Sequence, residues 1–184
     1  QHESDLGLVA HVLRSARRAG ALAVHNPAPM RPDVDPALLE LVDVLIPNET
    51  EFAALAHMVG LAAPRPEAVR SLAPAELHAL CRGLGVPVVI VTLGERGVFL
   101  SEASGYACVP AFRVEAVDTT GAGDAFVGGF SAAVASGLPL AEAVVFGNAT
   151  AALSVTRPGT APAMPRRPEI VRFLGRRRQG LRKR

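Results

Sequence analysis

Residues 118–130, Asp-Thr-Thr-Gly-Ala-Gly-Asp-Ala-Phe-Val-Gly-Gly-Phe, set a glycine turn in front of an apolar helix and put one carboxylate, Asp124, on the helix's first turn. Amides at such a start, here those after Gly121, have no intrahelical acceptor, and the aligned peptide dipoles favour negative charge before them. The spacing predicts an anion hole whose natural guest is a phosphate. Asp124 gains from the helix dipole, yet a carboxylate beside a bound phosphate is costly unless it has work to do. Taking a proton from a substrate hydroxyl is such work.

Two further stretches carry polar side chains at the ends of apolar runs. In Pro47-Asn48-Glu49-Thr50-Glu51, Asn48 and Glu51 are three apart on the opening turn of a helix, so they share a face. One carboxylate with a neutral amide suits Mg²⁺, which keeps several of its waters. A capped helix start gives the same pattern with no metal at all. In Thr92-Leu93-Gly94-Glu95-Arg96-Gly97 the glycines permit positive φ and close backbone approach to a ligand, although a plain β-turn reads identically.

The elements that must position these groups alternate between helical and strand periodicity, the mark of βαβ units and a largely parallel sheet. Helix is expected over 6–19, with Leu8, Val9, Val12, Leu13 and Ala16 on one face, and over 36–41, 49–58, 73–84, 122–136, 140–155 and 168–178. Strands are expected over 21–24, 42–46, 87–93, 98–100, 106–109 and 112–117, the β-branched 87–93 being fit for burial on both faces. Residues 60–72 read as a surface excursion. Ligands of open α/β sheets bind at the carboxyl ends of strands, so Asn26, Asn48, Thr92 and Asp118 should collect along one rim.

Composition narrows the function classes. At 184 residues and 49% hydrophobic the chain can form one sizeable domain, and no domain boundary is visible. No apolar run approaches the roughly 20 residues of a membrane helix, and no secretory signal is visible. Of 19 basic residues only Lys183 is lysine, so the Gly-Lys-Ser/Thr of a P-loop is excluded. No G-x-G-x-x-G follows the first strand, which argues against a dinucleotide-binding dehydrogenase. Six basic residues crowd into 176–184 with no acid, leaving the remainder mildly acidic. Lacking aromatics for base stacking, that stretch reads as a solvated, disordered tail rather than a nucleic-acid arm. Cys81 and Cys108 are expected as buried thiols in a reducing cytoplasm. His2, His11, His25, His57 and His78 share no metal spacing and are read as structural or exposed.

Residues 118–124 resemble, almost letter for letter, the D-T-x-G-A-G-D signature of the ribokinase-like (PfkB) carbohydrate kinases. The resemblance implies a Rossmann-like three-layer α/β/α fold over 1–175, with Asp124 as catalytic base and the Gly121, Ala122 and Gly123 amides as anion hole. It implies Mg²⁺ held through water by Asn48 and Glu51, and ATP bound by Asn48, residues 92–97, Gly123, Asp124 and Asn148. A monovalent cation, K⁺, would sit among Asp118, Thr120, Ser154, Arg157, Gly159 and Ala163, where Ala163 replaces the family's serine. Glu3 and Asp124 would contact the sugar; His25-Asn26-Pro27-Ala28-Pro29 resembles the N-P-A-P of ribokinases, which favours ribose over fructose or a nucleoside. The partners implied are a small sugar and ATP, with a homodimer in the intact protein and no nucleic acid or membrane. The match covers only the C-terminal half of the family's fold: the small β lid and most sugar contacts lie upstream in family members. Alone, the chain is expected to turn over poorly and to expose a sheet edge. A non-catalytic nucleotide-binding remnant is the competing reading.

Overall fold

The computed structural model describes residues 1–62 and 64–181. Where the sequence shows no boundary, the chain divides into two compact units, Gln1–Cys108 and Val109–Arg184.

The first unit is an α/β layer. Helix α1 (Leu6–Arg18) starts at Asp5, whose Oδ1 accepts from the Leu8 amide at 2.9 Å, and ends with Arg17 and Arg18 facing the negative end of the dipole. It buries Leu13 and leans Val9 and Ala10 on the core. Leu8 and Val12, expected on that same face, are instead each 55% exposed. Strands β1 (Val24–His25), β2 (Val44–Leu45) and β3 (Val88–Thr92) pair in parallel; β4 (Val98–Glu102) pairs antiparallel to β3, and β5 (Gly105–Val109) completes a sheet ordered β1-β2-β3-β4-β5. The first two strands are shorter than the apolar runs around them. The amides of Asp43 and Val44 both turn to the Ala23 carbonyl, at 3.0 and 3.1 Å, so regular pairing begins late.

Helix α2 (Glu49–Met58) follows β2 directly and helix α4 (Pro74–Gly83) precedes β3. Their apolar faces meet the sheet in a core that contains Leu45, Phe52, Leu55, Leu77, Val89 and Phe99. The excursion at 60–72 carries a helical turn, α3 (Pro66–Val69), and Val69 is wholly buried, so the stretch is anchored. Cys81 is buried too, which pushes its thiol up to about 12 and makes it inert. Cys108, expected inside, is exposed.

The second unit is helical. Helices α5 (Ala122–Ala135) and α6 (Leu140–Ser154) form a hairpin, with α7 (Arg167–Leu181) packed on α6. The strand expected over 112–117 is absent. Its alternation fits a strand, but the Val117 and Asp118 amides both donate to the Val155 carbonyl, at 2.7 and 3.1 Å, so the ladder donors are spent on a helix end. Helix α7 runs through the first part of the stretch read as a tail, to Leu181; residues 182–184 lie outside the described residues.

Candidate active site

In the second unit, α5 opens as its sequence dictates. Gly121 stands at the N-cap with φ +76°, a conformation L side chains rarely adopt. A Cβ there would also lie 3.3 Å from Thr160 Cγ2. Asp124 sits on the first turn and is exposed, with Gly123 exposed beside it. Of the three amides expected in the anion hole, that of Ala122 is already committed to the Thr119 carbonyl at 3.2 Å. The expectation of an anion hole therefore narrows to the Gly121 and Gly123 amides.

Asp118 is the hub of this turn. Its Oδ1 accepts from the Thr120 amide and its Oδ2 from the Gly159 amide, each at 2.9 Å. These hydrogen bonds, Thr120's first and then Gly159's, hold the carboxyl below the usual carboxylate range. The residues expected around a monovalent cation thus gather in one cluster. Their side chains are largely spoken for: Ser154 Oγ donates to the Ala151 carbonyl at 2.8 Å, Arg157 pairs with Glu169, and Ala163 has no side-chain oxygen. A hard cation here would have to be held chiefly by main-chain carbonyls. Asn148 is 5% exposed on α6, and its Nδ2 donates to the Pro110 carbonyl at 2.8 Å, so in this state it braces the chain before α5. Thr160, Met164 and Glu169 were not legible as site residues. They stand some 40 residues from the glycine motif, and no spacing rule links them to it.

In the first unit, Asn26, Asn48 and Thr92 do share the carboxyl ends of the three parallel strands. Asn26 Nδ2 donates to the Ile46 carbonyl at 2.7 Å, and Asn48 bridges to Thr92. Asp118 belongs to no strand end. Asn48 caps α2: its Oδ1 accepts from the Glu51 amide, while Glu51 Oε2 accepts from the Asn48 amide and Oε1 from Asn48 Nδ2, all at 2.9 Å. Glu51 is 7% exposed. Both of its oxygens already accept from Asn48, so the donor set fits a hydrated Mg²⁺ held through water and not an ion stripped of its shell. After Thr92 the chain makes a tight reversal, with Leu93 N donating to Gly97 O at 2.8 Å and positive φ at Gly94 (+55°) and Gly97 (+97°). Glu95 is exposed, and Arg96 reaches back to the Arg70 carbonyl. Glu3 is exposed on a segment pinned by the His2 amide to the Ala28 carbonyl at 2.8 Å.

A glycine-capped helix bearing an exposed first-turn acid, together with an α/β layer whose strand ends carry capped polar residues, defines an α/β protein without a P-loop. A family model, pfkB family carbohydrate kinase, matches residues 1–167, and the chain belongs to that family. It is 37% identical over 174 residues to a ribokinase of Haemophilus influenzae, covering 95% of this chain and 54% of that protein. The ribokinase of Arabidopsis thaliana, solved with ribose and ATP, superposes with a TM-score of 0.79 at 30% identity, over 92% of this chain and 53% of that one. A putative ribokinase II of E. coli, solved with ATP and Mg²⁺, gives 0.71 at 27% identity, over 91% and 53%. The fold is therefore the ribokinase-like α/β fold, and the chain spans about half the length of the relatives it matches.

Proposed function

We propose that this chain is the nucleotide-side part of an ATP-dependent sugar kinase, which transfers the γ-phosphate to a primary hydroxyl of a pentose, D-ribose giving ribose 5-phosphate. The observation that carries the reading is the exposed Asp124 carboxylate one turn inside the Gly121 cap. In the reaction Asp124 takes the hydroxyl proton, the sugar oxygen attacks the γ-phosphorus, and ADP leaves. Amides of Gly121 and Gly123 face the charge that develops on the transferring group, where preorganised donors are worth most. The family resemblance gives Asn48, residues 92–97 and Asn148 to the same nucleotide. Mg²⁺, held through water by Asn48 and Glu51, neutralises phosphate charge when bound. A K⁺ held by the carbonyls around Asp118, Thr120, Ser154, Arg157 and Gly159 belongs to the same proposal. Ribose is preferred to fructose or a nucleoside on the Asn-Pro-Ala-Pro loop, and Glu3 is the sugar contact. A cytoplasmic site of action follows from those substrates, and a homodimer of the intact enzyme from the family. Among the described residues no helix is long and apolar enough to cross a membrane.

The test is ADP release by the complete gene product over a panel of pentoses, hexoses and nucleosides. Ribose is expected to lead. Asp124→Asn should lower kcat about 10²- to 10⁴-fold with ATP affinity unchanged; a loss within tenfold would remove Asp124 from the role of base. The competing module predicts ATP binding and no turnover with any acceptor.

A further inference from the structure

The Asp118 carboxylate joins two turns 41 residues apart: the one that opens α5 and the one that follows α6. One oxygen takes the Thr120 amide and the other the Gly159 amide, each at 2.9 Å. Independent contacts run the same way. The Val117 and Asp118 amides share the Val155 carbonyl at 2.7 and 3.1 Å. Gly121, at φ +76°, packs so closely under Thr160 and Met164 that a Cβ would come within 3.3 Å of Thr160 Cγ2 and 3.7 Å of Met164 Cε. The second turn is itself fixed from α7, because Glu169 pairs with Arg157 and accepts from the Arg166 amide at 2.8 Å. Glycines at 121 and 159, both at positive φ, give the two turns backbone freedom that must be restrained somewhere.

From this geometry we infer that Asp118 is a positioning residue: its carboxylate clamps the opening turn of α5 onto the 155–160 turn, and so holds the Gly121 and Gly123 amides in the orientation that grips a phosphoryl group. The inference rests on the nucleotide reading proposed above. In this role both Asp118 oxygens act within the protein, and neither touches substrate. Preorganised amides cost no reorganisation when charge develops, whereas a loose turn must be ordered at each encounter. A clamp at the hinge of the glycine turn removes that cost.

Hydrogen exchange and ATP titration on the ¹⁵N-labelled chain, wild type against Asp118→Ala and Asp118→Asn, test the clamp. In Asp118→Ala the amides of Thr120, Gly121, Gly123 and Gly159 should exchange at least about tenfold faster, while amides of α2 and β3 keep their rates, and ATP should bind about tenfold more weakly. Asp118→Asn retains one acceptor oxygen, so it should free one of the Thr120 and Gly159 amides and spare the other, a split that general loosening of the unit would not produce. Unchanged exchange at Gly121 and Gly123 in Asp118→Ala, with ATP still bound by the wild type, overturns the clamp alone. Wild-type chain showing no ATP shifts at Gly121 or Gly123 overturns the nucleotide reading and the clamp's purpose with it.

Discussion

His2 and His25 show what a residue pattern hides. They lie 23 apart with no ligand spacing, yet their Nε2 atoms meet at 2.9 Å with only 1% and 2% of each side chain exposed. One ring donates and the other accepts, so the contact needs at least one ring to stay neutral. Burial is the main cause that lowers both, His25 to about 3. The folded state refuses a proton that the unfolded chain accepts below its ordinary pKa of 6.5. Stability from the pair is therefore complete above pH 6.5 and is lost as pH falls from there toward 3. For His25 alone the loss between pH 7 and pH 5 is about 2 kcal/mol. Urea midpoints at the two pH values should separate accordingly in the wild type, and the gap should narrow in a His2→Leu, His25→Leu double variant. Equal gaps in the two proteins would mean that the imidazoles are not held neutral. Because His2 ties Glu3 to the Ala28 turn, acid would loosen the proposed sugar side first.

At the scale of elements, the α5–α6 hairpin rests on glycines that differ in kind. Gly147 faces α5 so closely that a Cβ would lie 2.9 Å from the Phe126 carbonyl oxygen, which is backbone and cannot step aside. Gly128 sits mid-helix on α5 and is exposed, with nothing within 4 Å of a Cβ. Gly147→Ala should destabilise by about 1–3 kcal/mol through overpacking, and Gly128→Ala should stabilise by about 0.5–1 kcal/mol through helix propensity. Thermal unfolding of the two variants reads the opposite signs; the same sign for both would mean that the hairpin does not pack through Gly147. The elements themselves were largely legible: the cap at Asn48, the β-branched run of β3 and the glycine start of α5 are local signals. What escaped was set by distant partners. The 112–117 segment has a strand's alternation and no ladder, because Val155 takes its donors. The Asp118–Gly159 bond and the Arg157–Glu169 pair join residues that no period relates, so the motif announced the glycine turn but not what holds it in shape.

The molecule as a whole leaves two sheet ends, and magnitudes decide which of them matters. Strand β5 offers five residues of edge, Gly105–Val109, flanked by the half-exposed ring of Tyr106. Strand β1 offers two residues, but α1 and its link to β1 expose Leu8, Val12 and Leu22, each just over half open to solvent. Covering those three side chains is worth roughly 1 kcal/mol apiece, comparable to the few net hydrogen bonds a five-residue edge could add at about 1 kcal/mol each. Hydrogen bonds at an exposed edge are already made to water, whereas the apolar area gains only when covered, so association should run through the α1–β1 side. Two copies meeting there would gain about 6 kcal/mol against an association cost of at least about 4 kcal/mol. The chain should therefore be monomeric at about 10 μM and, on a net balance of about 2 kcal/mol at most, self-associate only on the order of 10 mM or above. Light scattering across that range checks it: Leu22→Lys, which sets a charge beside the edge, should abolish the rise in mass, and Tyr106→Lys should leave it intact. The reverse pattern would make β5 the adhesive edge and show that ladder pairing, not apolar cover, governs how this half-length chain associates.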